Sequence, residues 1–559
     1  MLVAWASGAV AVGGGSTSSL PANLAFPAAL RYAGSTEFAL TSSTRVPAPP
    51  RPVGGEPFLR RHLWALVAAT LVGAWLRIWQ LGEWSLWVDE AHTWRDATMP
   101  IGKLFEEDRI LYALPFLLLR GLLWLGCIDE SEAGLRWPFV VLGIATVPLL
   151  GICGRRLIGP GAAVLAAGLL ALNPWHVYWS QNARGYVLVV LAAVFVGNRA
   201  AAHAEAGRRR DLVALGAALA FGVMSHTTGG LLAVGFLAFL LLRRLPRLSR
   251  WQQLGLVVAI GALSLALPAL LEATGLFADF RRSKAGIAPL HFLQTTAFYF
   301  RPALLLTACL GLLALRFAAG RDRALLLGCL GLVPFFVLLI VTSQVVKATA
   351  RYAIGTLPVL TWLAAFAGCW IWQRIAGLEV GLRRATLGLA AMAPLLLFAD
   401  AGEQLSTYYT TQRGQRAPWR EAVAFLRERT GGGLLRVMTV NHPTLLYYLR
   451  PGHWQDRVAA ADDHDIVPIL QWMVTEGRDE GRKPLCAPGA QSHLDCQRAI
   501  ARHRQRRFAI VVTMPELVEE DPAGALRAVI ARDCELALYL PCWVGPKDES
   551  IYVYLPREP

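Results

Sequence analysis

Long apolar stretches recur between Leu63 and Leu397, and short polar stretches separate them. Each apolar stretch holds about 20 residues, which is enough for a helix to cross a hydrocarbon core of roughly 30 Å. The pattern predicts about eleven membrane-spanning helices. They are placed near Leu63–Leu81, Leu135–Ile152, Ala162–Tyr178, Tyr186–Ala202, Leu212–Ser225, Gly229–Leu242, Leu254–Leu271, Ala303–Ala318, Ala324–Thr342, Tyr352–Trp372 and Ala385–Ala399.

One further apolar stretch, Leu111–Cys127, is predicted to lie along the membrane surface. Arg120 stands in its middle, where a charge at the bilayer centre is unfavourable. If this stretch does not span, the Arg clusters between the spans all face the cytoplasm, as the positive-inside rule favours. These clusters are Arg155-Arg156, Arg208-Arg209-Arg210, Arg243-Arg244, Arg321 with Arg323, and Arg383-Arg384. The amino terminus is then inside and the carboxyl-terminal tail outside the cytoplasmic membrane.

The composition agrees with a multi-pass membrane protein. Of 559 residues, 55% are hydrophobic and 17% charged, and the mean hydropathy of +0.43 is higher than that of ordinary soluble domains. The net charge of +15 is spread over the clusters between apolar stretches rather than over one basic face. Membrane topology therefore accounts for it, and nucleic acid is not an expected partner.

The chain divides into three predicted regions. Residues 1–60 are rich in Ala, Gly, Ser, Thr and Pro and are predicted to be largely disordered. Residues 61–402 form the membrane region, and residues 403–559, here called the tail, form a soluble extracytoplasmic α/β domain. In the tail, the pattern predicts helices over Pro418–Arg429 and Pro522–Arg532 and strands over Leu434–Val440, Phe508–Met514 and Ile551–Leu555.

The tail carries four cysteines, which allow three disulfide pairings in an exported domain. We expect the nearest-neighbour pairing, in which Cys486 joins Cys496 and Cys534 joins Cys542. A zinc site is less favoured, because the spacing that zinc ligands commonly show does not occur here.

Two adjacent carboxylates, Asp89 and Glu90, follow the first predicted span. A lipid-borne substrate holds its headgroup at this depth, so a base placed here reaches it. We assign Asp89 as a general base and Glu90 as a catalytic partner that assists it, orients a cation or binds a metal. Only two or three oxygen ligands are available, so a divalent metal is left open. The other interpretation of the pair is a solvated loop.

Cations that could bind a donor phosphate stand on the same predicted face. Arg351 begins a span and Lys347 lies one helical turn before it. Arg is suited to phosphate because its planar fork binds two oxygens, although a snorkelling pair at a helix end fits equally well. Arg184 follows an aromatic stretch that suits either a sugar face or the interfacial aromatic belt. His226 is a candidate ligand or hydrogen-bond donor, or a helix-end His satisfied by the backbone.

Together these motifs resemble the polytopic GT-C glycosyltransferases that use lipid-phosphate sugars. Within this class, the sequence looks most similar to the branch that contains dolichyl-phosphate-mannose protein mannosyltransferases and bacterial aminoarabinose transferases. The resemblance covers roughly Leu63–Leu397, and it rests on order and spacing rather than on a single motif. The residues that carry it are Trp87-Val88-Asp89-Glu90, Glu132-Ala133-Gly134-Leu135-Arg136-Trp137-Pro138, Ser180-Gln181-Asn182-Ala183-Arg184-Gly185-Tyr186, Ser225-His226, and Arg351-Tyr352 with Pro358.

The resemblance implies a catalytic Asp in the first outer loop, a polyprenyl- or dolichyl-phosphate sugar donor and an inverting transfer on the outer face. Tyr186 and Tyr352 are then expected to line the site. The chain departs from the pattern where relatives have a His-Pro-Pro or Lys-Pro-Pro element, since it has Asp108-Arg109-Ile110-Leu111 there. It also has Asn182 in place of the usual Glu, for which Asp108 is a possible substitute in the site.

The predicted function is transfer of a sugar from a polyprenyl-phosphate carrier to an extracytoplasmic protein, glycolipid or polysaccharide. Two alternatives are a transporter or flippase of lipid-linked sugars and an inactive GT-C-like scaffold. Internal repeats and charges at the bilayer midplane would favour transport, but the candidate polar residues instead cluster at span ends. No cofactor is assigned, the polyprenyl-phosphate sugar is the donor substrate, and a divalent metal is left open.

Overall fold

The computed structural model describes residues 58–106, 109–255, 287–318, 320–376, 397–430, 436–449, 466–468, 508–521, 524–544 and 547–557, with positions 258, 262, 266 and 269. Several predictions concern residues outside these ranges. They are the disordered segment over most of 1–60, most of the spans Leu254–Leu271 and Ala385–Ala399, Asp108, and the cysteine pair Cys486 and Cys496.

The membrane region is a bundle of helices. Its described α-helices are α1 Phe58–Ile78, α2 Val88–Thr98, α3 Ile101–Glu106, α4 Leu114–Trp124, α5 Glu132–Ile158, α6 Pro160–Ala171, α7 Pro174–Ser180, α8 Tyr186–Ala206, α9 Arg209–Ser225, α10 Gly230–Arg244, α11 Pro289–Phe300, α12 Pro302–Ala318, α13 Arg321–Gln344 and α14 Leu357–Ala376. Short 3-10 turns over Arg109–Tyr112, Thr227–Gly229, Leu245–Arg247 and Ala350–Thr356 connect several of them.

Five helical segments in the described ranges are long and apolar enough to cross a membrane. They are Glu132–Ile158, Tyr186–Ala206, Thr227–Arg247, Arg321–Gln344 and Ala350–Ala376, and the pair α11 and α12 becomes a sixth if its 85° bend is accepted within one span. The chain is thus a multi-pass membrane protein. The predicted number of about eleven spans is not confirmed.

One predicted span is broken in the structure. The stretch Ala162–Tyr178 was expected to be one helix, but it divides into α6 and α7 at Leu172 and Asn173. Pro174 disfavours a helical conformation at the residue before it, and the Asn173 side chain accepts a hydrogen bond from the backbone N–H of His176 at 2.9 Å. The sequence therefore starts a new helix here.

The apolar stretch around Arg120 forms the short helix α4, and its placement along the membrane surface stays a prediction. Its eleven residues are about 16 Å long at 1.5 Å per residue, half of the hydrocarbon thickness. Arg120 donates hydrogen bonds to the backbone carbonyls of Asp96 and Met99 at the end of α2. The helix α4 therefore belongs to the layer formed by the first loop.

A five-stranded mixed sheet forms the centre of the tail. Its strands are β1 Arg436–Thr439, β2 Ile466–Pro468, β3 Phe508–Thr513, β4 Cys534–Leu540 and β7 Ile551–Pro556, in the order β2-β1-β3-β7-β4. The first three are parallel, and β7 runs antiparallel to β3 and β4. Helices α15 Trp419–Thr430, α16 His442–Leu449, α17 Met514–Glu520 and α18 Ala525–Asp533 flank it, and β5 Trp543–Val544 pairs with β6 Lys547–Asp548. The predicted strands and helices are thus present with shifted ends.

The disulfide predicted between Cys534 and Cys542 is wrong. Cys534 begins β4 and Cys542 follows its end, so the extended strand holds them apart. The seven residues of β4 alone span about 20 Å, whereas the Cα atoms of a disulfide are at most about 7 Å apart. Spacing in the sequence did not show that the intervening residues are extended.

The tail packs directly on the loop between α1 and α5. The hydroxyl of Tyr448 accepts a hydrogen bond from the backbone N–H of Leu86 at 2.6 Å and donates one to the Glu132 carboxylate at 3.0 Å. The rings of Trp94 and Tyr447 meet edge to face with centroids 5.2 Å apart. Tail and membrane region therefore together fix the loop that carries Asp89 and Glu90.

Candidate active site

Asp89 lies in the first turn of α2, and its side chain is 29% exposed. Arg184 approaches it from the segment between α7 and α8. One guanidinium nitrogen lies 3.9 Å from Asp89 Oδ2, and another donates to the Thr93 hydroxyl at 3.1 Å and the Asp89 carbonyl at 3.4 Å. Asp89 therefore has a fixed backbone and a carboxylate that a substrate can reach.

Glu90 is fully buried, and protein groups occupy both of its carboxylate oxygens. Arg136 donates to both oxygens at 2.8 Å, and Arg416 donates to Oε2 at 3.2 Å. The backbone N–H groups of Ala183 and Trp87 each donate at 2.9 Å. Glu90 thus joins α5, the segment before α8 and the start of the tail, and it leaves no oxygen for a substrate or metal.

The two carboxylates are held in the charged form. Burial raises the pKa of Asp89, but Arg184 and Arg351 outweigh burial and, with His92 and Lys547, lower the pKa to about 2. Burial likewise opposes ionisation of Glu90, but Arg136 and Arg416 lower its pKa to about 2. Both groups are therefore anions at neutral pH.

Arg351 is held by aromatic rings rather than by a carboxylate. Its guanidinium carbon lies 5.5 Å from the Trp87 ring centre and 5.2 Å from that of Tyr352. The Tyr352 hydroxyl accepts a long hydrogen bond from it at 3.4 Å. Within the described part of the chain, its buried Nε has no hydrogen-bond partner and no carboxylate lies within ion-pair distance. This cation is placed beside Asp89 with donors left over for an anion.

His226 and Tyr186 form the wall next to Asp89. Their rings lie 4.3 Å apart, and His226 Nδ1 accepts a hydrogen bond from the backbone N–H of Thr228 at 3.2 Å. Burial lowers the pKa of His226 to about 3, and Arg184 and Arg351 add to the effect. The imidazole is therefore neutral with its proton on Nε2, because Nδ1 is an acceptor.

Lys347 is not among the cations that lower the pKa of Asp89. It is exposed and lies within electrostatic reach of His291 on α11. Asp108 lies outside the described residues, so its place as a substitute for the missing Glu stays a prediction. The amide of Asn182 is buried, and its oxygen and nitrogen have no hydrogen-bond partner among the residues that are described.

Sequence reasoning missed four titratable groups of the site, of which three are cations and one is a histidine. Arg136 was noted within a motif but given no role, although a charge at the start of an apolar helix signals the need for a partner. His92 lies one helical turn after Asp89. Arg416 and Lys547 lie in the tail, and nothing in the local pattern connects them with the first loop.

Two cavities lie against helix α11. An apolar one of about 300 Å³ lies among α11 to α14 and is lined by residues such as Phe292, Thr296 and Leu363. Arg351 lies on the 3-10 turn Ala350–Thr356. At the start of this turn, the backbone N–H of Ala350 donates to the hydroxyl of Thr295 on α11 at 3.0 Å. A second cavity of about 200 Å³ has Trp175, Tyr178 and Tyr299 as aromatic walls.

A metal does not fit the first loop as described. Within the described ranges, no three His, Cys, Asp or Glu side chains come together as a metal-binding group. Glu90, the carboxylate nominated beside Asp89, has both oxygens bound to arginines.

Part of the sequence and the structure as a whole are similar to known proteins. Residues 114–271 match the dolichyl-phosphate-mannose-protein mannosyltransferase family. The structure is similar to the oligosaccharyltransferase AglB from Archaeoglobus fulgidus in complex with an inhibitory peptide and a dolichol-phosphate, with 14% identity, coverage of 90% of this chain and 77% of AglB, and a TM-score of 0.54. The chain has the GT-C glycosyltransferase fold.

Two further solved structures are similar to this chain. AglB tethered to an acceptor peptide is 14% identical, with coverage of 89% of this chain and 74% of AglB and a TM-score of 0.51. ArnT from Cupriavidus metallidurans bound to undecaprenyl phosphate is 13% identical, with coverage of 88% and 97% and a TM-score of 0.49. No curated protein sequence gives a significant match.

Proposed function

We propose that the protein is a glycosyltransferase that moves one sugar from a polyprenyl-phosphate carrier to an acceptor hydroxyl on the outer face of the cytoplasmic membrane. The observation that carries this proposal is an accessible carboxylate, Asp89, within electrostatic reach of Arg351, a cation that has unused donors. A base and an anion-binding group side by side are what transfer from a phosphate ester needs.

In the proposed reaction the acceptor oxygen attacks the anomeric carbon of the donor sugar, and the bond from that carbon to the phosphate oxygen breaks. The acceptor proton passes to Asp89. The electron pair of the broken bond stays on the polyprenyl phosphate, which Arg351 stabilises. Attack on the face opposite the phosphate inverts the anomeric configuration.

The remaining predicted residues take supporting roles. Arg184 orients Asp89, and Glu90 positions the loop rather than touching substrate, because its oxygens are occupied. His226, Tyr186 and Tyr352 line the sugar side, and Lys347 contributes a second cation at the membrane surface. Asp108 stays a candidate for the same wall.

The apolar cavity supports a lipid-borne donor. The turn from Ala350 links Arg351 to helix α11, whose Phe292 and Thr296 line that cavity. A phosphate at Arg351 would thus stand beside an apolar space suited to the first isoprene units. AglB, which shares the fold, has been solved with a dolichol-phosphate.

A depressed pKa makes Asp89 a weak base until the donor binds. An anionic phosphate at Arg351 offsets the cations that lower the pKa of Asp89, so donor binding raises that pKa and prepares the carboxylate to accept a proton. The base is then strongest when the donor is in place.

The decisive experiment compares the wild-type chain with Asp89→Asn for transfer from a panel of labelled polyprenyl-phosphate sugars in membranes. We expect about a 10²- to 10⁴-fold loss, because the amide cannot take the proton. Glu83→Gln, an exposed carboxylate of the same loop, serves as the control and should retain full activity. Retained turnover in Asp89→Asn refutes the mechanism, and labelled lipid that crosses the bilayer without transfer favours a flippase.

A further inference from the structure

The parallel strands of the tail end in a cluster of polar side chains. The Asn441 amide, just after β1, donates to the Thr513 hydroxyl at the end of β3 at 3.3 Å, and Thr513 in turn donates to Glu516. The strand order places β1 between β2 and β3, so the connections leave in opposite directions at this edge. In open α/β sheets, ligands bind outside the carboxyl ends of strands at such a point.

Two groups from the hairpin of β5 and β6 extend this cluster. Lys547 Nζ lies 2.5 Å from the Glu516 carboxylate and 2.6 Å from Glu549 Oε1. The Glu549 backbone N–H donates to the Cys542 carbonyl at 2.8 Å, which holds the residue at the base of the hairpin. The Glu549 side chain is 1% exposed, and its Oε2 has no hydrogen-bond partner in the described ranges.

The cluster faces the membrane region at the proposed base. Lys547 and Glu549 both interact electrostatically with Asp89. Both also interact with Tyr299, which in turn lies within electrostatic reach of Arg351 and Tyr352. Lys547 and Glu549 therefore lie on the tail within electrostatic reach of Asp89.

We propose that this cluster is the acceptor subsite, and that the acceptor is a sugar or polyol with at least two neighbouring hydroxyl groups. This inference rests on the function proposed above. One hydroxyl is activated by Asp89, and a second donates a hydrogen bond to the free oxygen of Glu549. A buried carboxylate oxygen without a partner is unfavourable, so a hydroxyl donor that fills this position is bound preferentially.

The charges at the subsite distinguish between acceptor classes. Glu516 and Glu549 share Lys547 as their cation, and Asp89 lies within electrostatic reach, so a phosphorylated glycolipid meets like charges there. A serine or threonine of a peptide offers one hydroxyl, which the reaction itself consumes, and leaves Glu549 unpaired. A neutral glycan supplies both hydroxyls without adding negative charge.

The test uses the full-length chain with a labelled polyprenyl-phosphate sugar that it accepts, and compares neutral oligosaccharides, phosphorylated sugars and Ser/Thr peptides as acceptors. We expect a neutral oligosaccharide to be the preferred acceptor, and Glu549→Gln to raise its KM at least tenfold with a much smaller change in the donor KM. Glu535→Gln, an exposed carboxylate on β4, is the matched control and should change neither. Preference for a peptide or a phosphorylated sugar, or an unchanged acceptor KM in Glu549→Gln, overturns the subsite.

Wild-type chain gives a second measurement that does not depend on the folding of the variant. Hydrogen exchange with and without a neutral oligosaccharide should show protection of 508–521 and 547–557, and equal exchange in those peptides refutes the proposal. The two proposals fail separately. If Asp89→Asn retains transfer activity, the proposed function is refuted. If Asp89→Asn loses activity but Glu549→Gln leaves the acceptor KM unchanged, only the acceptor subsite is refuted.

Discussion

Asp89 and Glu90 are neighbours in the chain but stand in opposite surroundings. Asp89 keeps an accessible carboxylate with Arg184 at 3.9 Å, and Glu90 is enclosed by two buried arginines. Burial of an anion is tolerated only when its charge and hydrogen bonds are satisfied. In our proposal one carboxylate is thus free for chemistry because the other maintains the loop.

Replacing Glu90 with Gln should destabilise the protein more than any change at Asp89. The variant leaves Arg136 and Arg416 buried with no compensating charge, which costs about 3–5 kcal/mol. We expect a clearly lower unfolding temperature in detergent, whereas Asp89→Asn stays close to wild type. Equal melting of the two variants would contradict this assignment.

The stabilisation from Glu90 has a definite pH dependence. Its folded pKa of about 2 lies below the unfolded value, so the contribution is complete above an unfolded pKa of about 4.3 and is lost as the pH falls toward 2.

Replacing Arg351 with Gln should change both donor affinity and the pH profile. Loss of a charged hydrogen bond to phosphate raises the donor KM about tenfold to a hundredfold. Removal of this cation also raises the pKa of Asp89, so the acid limb of kcat/KM moves to higher pH. Arg321→Gln, at the exposed start of α13, is the control. An unshifted acid limb would show that Arg351 does not act on Asp89.

At the scale of elements, close helix packing in the membrane region depends on two glycines under one tryptophan. Trp362 on α14 donates to the Leu150 carbonyl of α5 at 3.0 Å. A Cβ added at Gly154 would stand 2.3 Å from Trp362 Nε1, and one at Gly197 would stand 2.7 Å from its ring. The indole of Trp362 therefore fits between α5, α8 and α14 only because Gly154 and Gly197 have no side chains.

The change Gly154→Ala should separate these helices. The added methyl forces Trp362 to move and breaks its hydrogen bond to Leu150, an overpacking effect of about 1–3 kcal/mol. Gly168→Ala on α6 has open space around its Cβ and is the matched control. Thermal unfolding in detergent measures both, and equal midpoints would refute the packing argument.

Sequence predicted some elements better than others. The tail strands and the separate helix α4 followed from apolar pattern and charge, because both are local properties. The break at Asn173 was missed because the apolar stretch continues on both sides of it. The Cys534–Cys542 pairing failed because sequence spacing does not show whether the chain between is extended.

The site shows the same division. Asp89, Arg184, Arg351 and His226 carry their signal in short motifs next to spans, and the structure brings them together. Arg416, the tail residue that pairs with Glu90, is 326 residues away along the chain. Lys547, the tail residue that acts on Asp89, is farther away still. Long-range pairs of this kind leave no trace in local periodicity.

At the scale of the whole molecule, the tail completes the first loop. Arg416 is fully buried, pairs with Glu90 and stacks 4.4 Å over the Tyr178 ring. Arg420 pairs with Glu132 at 2.7 Å on the outer side of the same contact. Removing the tail would therefore expose Glu90 and free the helix that carries Asp89.

The change Arg416→Ala tests this dependence. We expect loss of most transfer activity with normal insertion into the membrane, because the spans keep their own contacts while the loop loses its brace. Arg413→Ala is the control, since its 3.4 Å pair with Glu421 is exposed and contributes little. Transfer activity and the protease accessibility of the loop are measured in both variants. Full activity in Arg416→Ala would show that the loop keeps its conformation without Arg416.

The ion pair between Glu90 and Arg416 also sets an order of events during synthesis. The loop and its nearer partner Arg136 are made early, but Arg416 is translated only 326 residues after Glu90. Until then Glu90 lacks one of its two buried arginine partners. In our proposal the chain therefore becomes able to transfer a sugar only after the start of the tail has been made and has packed on the loop.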